Sequence, residues 1–159
     1  MTSLSNGIAK MEKWISIVLV FGLTAVLALS VLFRYFLNNP FSWAGEISIF
    51  LFAWISFLGG SLGIKYKSQA SLTFVLDKLT EKYRRIVLIV AHILMCIFMV
   101  ILINYSFQWA FSESVFSQKS NNLQIPMWIP YSSIPIGLSF ATIHILSSLI
   151  QQFRKVDTT

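Results

Sequence analysis

Few side chains in this sequence are equipped for chemistry. Arg34, Trp43 and Glu46 flank the turn signal Asn38-Asn39-Pro40. Ser42 fits the N-cap of a following helix, on which Trp43 and Glu46 lie three residues apart and share a face. A tight turn there returns the chain and brings Glu46 toward Arg34, so the chemistry expected is an ion pair. As a structural staple it locks two helices into a hairpin. As an interface element one or both charges reach a partner chain. His92 and His144 form the second candidate set. Two imidazoles on neighbouring helices can ligate a haem. Alternatively each bonds a backbone carbonyl or a hydroxyl. The single cysteine, Cys96, cannot form an internal disulfide and reads as a small core residue. The sequence has no Walker motif, no GxGxxG, no Cys-x-x-Cys and no Ser/His/Asp triad, which leaves no recognisable catalytic centre.

The elements that must position these residues are apolar helices. Of 159 residues, 56% are hydrophobic and 11% charged. Four stretches carry no Asp, Glu, Lys or Arg: Trp14–Phe33, Ile47–Ile64, Ile86–Phe111 and Trp128–Gln151. Each is near the roughly 20 residues that cross a bilayer as a helix. The expected architecture is an all-α integral membrane protein, a single domain over 1–159, with helices at about 14–36, 43–64, 86–111 and 128–151. The N-terminal apolar run is too long for a signal-peptide h-region and is expected to remain as an anchoring first helix.

Between the second and third spans lies a segment of another kind, about 68–83. Leu72, Val75, Leu76 and Leu79 recur at helical spacing while polar residues fill the rest. A short amphipathic helix lying on the lipid surface is expected, its lysines near anionic headgroups. An ordinary linker helix packed on the bundle is the other reading. Gly59 and Gly63, four apart, form a small-xxx-small pattern that signals a close helix crossing, within this chain or with a partner, or occurs by chance.

Basic residues set the orientation. Lys10 and Lys13 precede the first span. Lys65, Lys67, Lys78, Lys82, Arg84 and Arg85 lie between the second and third, and Arg154 and Lys155 follow the fourth. The remaining connections hold only Arg34 and Lys119. The positive-inside rule places both termini and the middle segment in the cytoplasm. It also accounts for the net charge of +6 without nucleic acid. Arg34, Glu46 and the polar Glu113–Met127 loop then face outward. Pro126, Pro130 and Pro135 bracket the start of the fourth helix, expected near Trp128 or Pro130 with an irregularity at Pro135. His92 and His144 differ in depth by only about 5 Å at about 1.5 Å per residue, as a haem site needs. Glu46 reads as the one carboxylate close to a helix, and it lies at the rim. A transport pathway needs charged groups or broken helices within the membrane, so this chain is not expected to transport anything alone.

The whole run of residues resembles the small membrane subunit of tripartite ATP-independent periplasmic (TRAP) transporters, the DctQ-like family. The resemblance is carried by Arg34-Tyr35-Phe36, Trp43-Ala44-Gly45-Glu46, Trp54, Phe57-Leu58-Gly59-Gly60, the segment with Leu72, Val75, Leu76 and Asp77, Gln124 through Tyr131, and Ile134-Pro135-Ile136-Gly137. At Gln69-Ala70-Ser71 the sequence departs from many relatives, and no role is carried to those positions. The resemblance implies no enzyme activity and no cofactor. It implies a scaffold subunit in the bacterial inner membrane, partnered by the lipid bilayer, by a large membrane subunit that holds the sodium and substrate sites and moves as an elevator, and by a periplasmic solute-binding protein. The solute would be an organic acid such as a dicarboxylate or sialic acid. Glu113, Lys119 and Trp128 on the outer loop are candidates for docking the binding protein. A stand-alone small multidrug-type exporter and a haem-anchoring subunit are the alternatives.

Overall fold

The computed structural model describes residues 2–36, 38, 41–66 and 80–154. Of the surface helix expected at about 68–83, the part with Leu72, Val75, Leu76 and Leu79 lies outside these residues, while 81–83 form the start of the helix Glu81–Ala110. Among the described residues the chain is helical, with one isolated antiparallel bridge between Lys119 and Pro126. The elements are α1 (Thr2–Phe36), α2 (Ala44–Lys65), α3 (Glu81–Ala110), α4 (Glu113–Ser117), α5 (Trp128–Tyr131) and α6 (Ser133–Arg154). Among the described residues four helical stretches are long and apolar enough to cross a membrane: Ser3–Phe36, Ala44–Lys65, Ile86–Ala110 and Trp128–Ile150. The all-α, four-span architecture read from the sequence is the one observed.

Two boundaries differ in an instructive way. α1 begins at Thr2 rather than near Trp14. Its 35 residues reach about 52 Å at about 1.5 Å per residue, well beyond a hydrocarbon core of about 30 Å. The extra turns are held by a buried stripe, Ser5, Ala9 and Glu12, at spacings of four and three. The fourth span does start at Trp128, but it is jointed at Ser132 instead of Pro135. Pro135 has no N–H, so the carbonyl four residues earlier loses its helical partner, and the irregularity appears upstream of the proline. Two hydroxyls satisfy carbonyls around the joint: Ser132 Oγ donates to Ile129 O and Ser133 Oγ to Pro130 O, each at 2.7 Å.

α6 is the central helix. It packs extensively on α2 and on α3, while α2 also packs along α1. α6 and α2 approach closely at Gly137. A Cβ placed on Gly137 would come within 2.6 Å of Phe57 Cβ and 3.1 Å of its backbone carbonyl. Gly59 of the small-residue pattern has nothing within 4 Å of its Cβ position. It is exposed together with Ile49, Phe52 and Ser56 on one flank of α2, away from the chain's own packing. The small-residue pattern therefore does not mark a crossing at Gly59 within this chain.

The α1–α2 hairpin is closed by aromatic rings. Phe41 in the turn lies with its centroid 4.2 Å from Phe33 of α1 and 5.0 Å from Trp43, on which it stacks. Such pairs contribute about 0.5–1.5 kcal/mol each beyond their buried area. Ser42 does not cap α2. The N-cap position is Trp43, which makes no side-chain cap bond.

Candidate functional site

Two polar constellations stand out against the apolar helices, one at each end of the molecule. At the α1–α2 turn end, Glu46 occupies the first turn of α2. Its Oε1 accepts from the backbone N–H of Asn122 at 2.8 Å and from Asn122 Nδ2 at 3.2 Å, and its Oε2 accepts from Leu123 N at 3.1 Å. The carboxylate thus clasps the tip of the loop between α4 and α5. That loop is a small hairpin: Ser120 N donates to Ile125 O at 2.9 Å and Met127 N to Gln118 O at 3.0 Å. Its turn is completed by Gln124, which has φ of 57° and whose side-chain amide donates to Ser120 O and Asn121 O. Ser120 Oγ accepts from Ile125 N at 3.2 Å.

This arrangement corrects the expected Arg34–Glu46 staple. Arg34 is exposed and makes no ion pair with Glu46, whose two oxygens are taken up by backbone and amide N–H groups. Two adjacent N–H groups aimed at one carboxylate give charge-assisted bonds with little side-chain entropy lost on the donor side. A long exposed arginine would have to be ordered to compete. Of the residues grouped for docking, Glu113 and Lys119 are exposed on the same outer segment. Trp128 is half-buried in an aromatic cluster, 6.3 Å from Phe111 and 6.0 Å from Phe116 between centroids, so its ring packs the loop onto the helices.

At the opposite end a buried chain of hydrogen bonds joins α1, α2 and α6. Lys65 Nζ donates to Ser5 Oγ at 2.6 Å, Ser5 Oγ lies 2.8 Å from His144 Nδ1, and His144 Nε2 lies 2.8 Å from Glu12 Oε2. Ser5, Glu12 and His144 are wholly buried. A lysine ammonium can only donate, so Ser5 Oγ accepts from Lys65. Nε2 carries a ring hydrogen and donates it to the Glu12 carboxylate. The hydroxyl can accept from Nδ1 or donate to it, so the direction of that bond goes with the ring tautomer. The chain links a cation to an anion through a hydroxyl and an imidazole. Burying a carboxylate is costly unless it is paired and hydrogen-bonded, and His144 meets that demand at one oxygen.

The two histidines of the haem alternative are placed in different surroundings. Both ring nitrogens of His144 are occupied, by Ser5 and Glu12, and His92 Nδ1 bonds Leu88 O on its own helix at 2.7 Å. No group of three or more metal-ligating side chains occurs among the described residues. Glu12 is the residue that sequence reasoning missed, since Glu46 was taken as the one acidic group near a helix. The signal was present in the spacing of Ser5, Ala9, Glu12 and Ser16, which puts polar and small residues on one helical face.

Comparison with known proteins agrees with this architecture. The chain matches the family model described as "Tripartite ATP-independent periplasmic transporters, DctQ component" over residues 11–155. It is similar to the sialic acid TRAP transporter small permease protein SiaQ of Vibrio cholerae serotype O1, 29% identical over 130 residues, covering 82% of this chain and 74% of that one. A putative TRAP transporter small permease protein of Haemophilus influenzae is 29% identical over 140 residues, with 88% and 80% of the two chains covered. The isethionate TRAP transporter permease protein DctMQ of Oleidesulfovibrio alaskensis is 26% identical over 112 residues, which cover 70% of this chain but 18% of that longer protein.

Proposed function

The chain belongs to the DctQ component family of the tripartite ATP-independent periplasmic transporters, and from that premise we propose that it is the small permease subunit of a sodium-driven importer of an organic acid. Its role is structural. It widens and steadies the fixed scaffold of a larger membrane subunit that carries the solute by an elevator motion. The observation that carries this reading is the surplus of apolar surface. No residue in the most apolar stretch of α1 or α3 is buried within the chain, and only α6 is substantially enclosed. Four helices that leave so much uncovered are built to lie against lipid and against further helices. The names of similar proteins, which mention sialic acid, C4-dicarboxylate and isethionate, support an organic acid as the solute. The fusion-sized DctMQ relative supports a large membrane partner.

Basic residues cluster at the end of the molecule that holds the N-terminus, Lys65 and Arg154. That distribution supports cytoplasmic termini and a periplasmic hairpin at 118–127. On this orientation the clasped hairpin, with Glu113 and Lys119 exposed beside it, is placed to help dock a periplasmic solute-binding protein. Family membership favours this function over a stand-alone exporter.

The test is purification of a tagged chain from its native membrane in a mild detergent, with partners identified by mass spectrometry. Recovery of a large polytopic protein at a one-to-one ratio is expected. Uptake of an organic acid by the reconstituted complex should require sodium and this subunit. Recovery of the chain only with copies of itself would overturn the proposal.

A further inference from the structure

Among the described residues four buried polar side-chain atoms make no hydrogen bond: Glu12 Oε1, Ser16 Oγ, Ser61 Oγ and Ser147 Oγ. Glu12, Ser61 and Ser147 are wholly buried and sit on three helices that pack against one another, α1, α2 and α6. α1 runs antiparallel to the other two. Gly22 lies beside Leu51 while Ser5 meets Lys65, and Gly137 lies beside Phe57 while His144 shares Ser5 with Lys65.

These contacts fix the register. His144 bonds Glu12, so Ser147, three residues further along α6, lies about level with Ala9, three residues back along α1. Lys65 bonds Ser5, so Ser61, four residues back along α2, also lies about level with Ala9, four residues on from Ser5. Glu12 is about 4.5 Å further into the span. Each Cα–Cβ bond tilts toward the N-terminus of its own helix. The Glu12 side chain therefore leans back toward Ala9, while Ser61 and Ser147, on helices of the opposite direction, lean toward Glu12. Ser16 lies about 6 Å beyond Glu12 and belongs to another level. Ala9, buried at the level of the two serines, carries only a methyl group.

The chemistry of the three atoms names what would join them. A carboxylate oxygen accepts only, and a hydroxyl both donates and accepts. Water donates to the first and exchanges bonds with the other two, about three bonds in all, its usual number inside a protein. A metal cation would add a second positive charge to a buried chain that already sets the Lys65 ammonium against one carboxylate. We propose that an ordered water is bound at the α1–α2–α6 junction, donating to Glu12 Oε1 and hydrogen-bonded to Ser61 Oγ and Ser147 Oγ. It satisfies the second carboxylate oxygen, which His144 does not reach, and ties α2 to α6 without passing through Ser5. The site is independent of the solute and of the partner subunit.

Thermal melting of the full-length chain in detergent tests this. Ser56→Ala, at an exposed position of α2, supplies the helix-propensity baseline. Relative to it, Ser61→Ala and Ser147→Ala should each melt about 2–4 °C lower, the shift expected from one lost hydrogen bond. A dry junction gives the opposite sign, because each substitution then removes a buried hydroxyl that has no partner. A high-resolution map of the chain, alone or in its complex, should show a peak within about 3 Å of Glu12 Oε1 and of both hydroxyls. A melting temperature at or above the baseline in either variant, or a map with no such peak, would overturn the proposal. So would a native chain that melts higher in sodium than in choline while Ser61→Ala does not, which would mark a metal cation.

Discussion

His144 on α6 and Glu12 on α1 meet at 2.8 Å with both side chains wholly buried, across 132 residues of sequence. Removing either partner leaves the other polar group stranded, at a cost of about 1–3 kcal/mol and more where that group is charged. Glu12→Ala and His144→Ala should each lower the unfolding free energy in detergent by that amount. The double variant should lose less than the sum, because the two residues act as one unit. Single variants as stable as the native chain would mean that the pair is solvated.

Glu46→Ala should release the hairpin at 118–127. Hydrogen exchange should rise at the amides of Asn122 and Leu123, which lose their acceptor, and stay unchanged along α6. Arg34→Ala should leave the same amides protected. If Arg34→Ala exposes them equally, the arginine supports the clasp after all.

Gly137→Ala would drive a methyl group into Phe57 Cβ at 2.6 Å. Overpacking of this kind costs about 1–3 kcal/mol, and a lowered melting temperature of the isolated chain should show it. Gly59→Ala has open space around it and should not lower the isolated chain's stability, raising it by up to about 1 kcal/mol through helix propensity. If it weakens retention of the large subunit, that flank of α2 faces the partner.

Charge reversal at the outer segment, Glu113→Lys or Lys119→Glu, should raise the binding-protein concentration needed for half-maximal uptake. Rim charges act mainly on association rate, and a change of about tenfold is reasonable for complementary surfaces. Uptake at saturating binding protein should be unaltered. No shift in either variant would move docking to the large subunit.

The spans, their order and the start of the fourth helix were legible in the sequence because each depends on local composition and on proline. The partner of Glu46 was not. Arg34 was the nearest opposite charge in sequence, whereas the actual donors are backbone N–H groups, which every residue but proline carries and no residue type advertises. Glu12 was overlooked because its neighbours Lys10 and Lys13 read as a charged flank. Its burial depends on His144, and no local pattern connects positions so far apart. The tight crossing fell at Gly137 rather than Gly59 because the direction each helix face takes is set by packing partners, which spacing alone does not name.

The separation of Glu12 from His144 also has a consequence for biosynthesis. At about 5–20 residues per second, roughly 7–26 s pass between the addition of the carboxylate and that of its imidazole partner. Throughout that interval the first helix carries a carboxylate whose hydrogen-bond partner, on α6, has not been made, and any chain released before the fourth span keeps it unmated. The His144–Glu12 bond therefore closes only after the fourth span has been made, so a chain that carries that span and one cut short before it differ at a buried carboxylate near the start of α1.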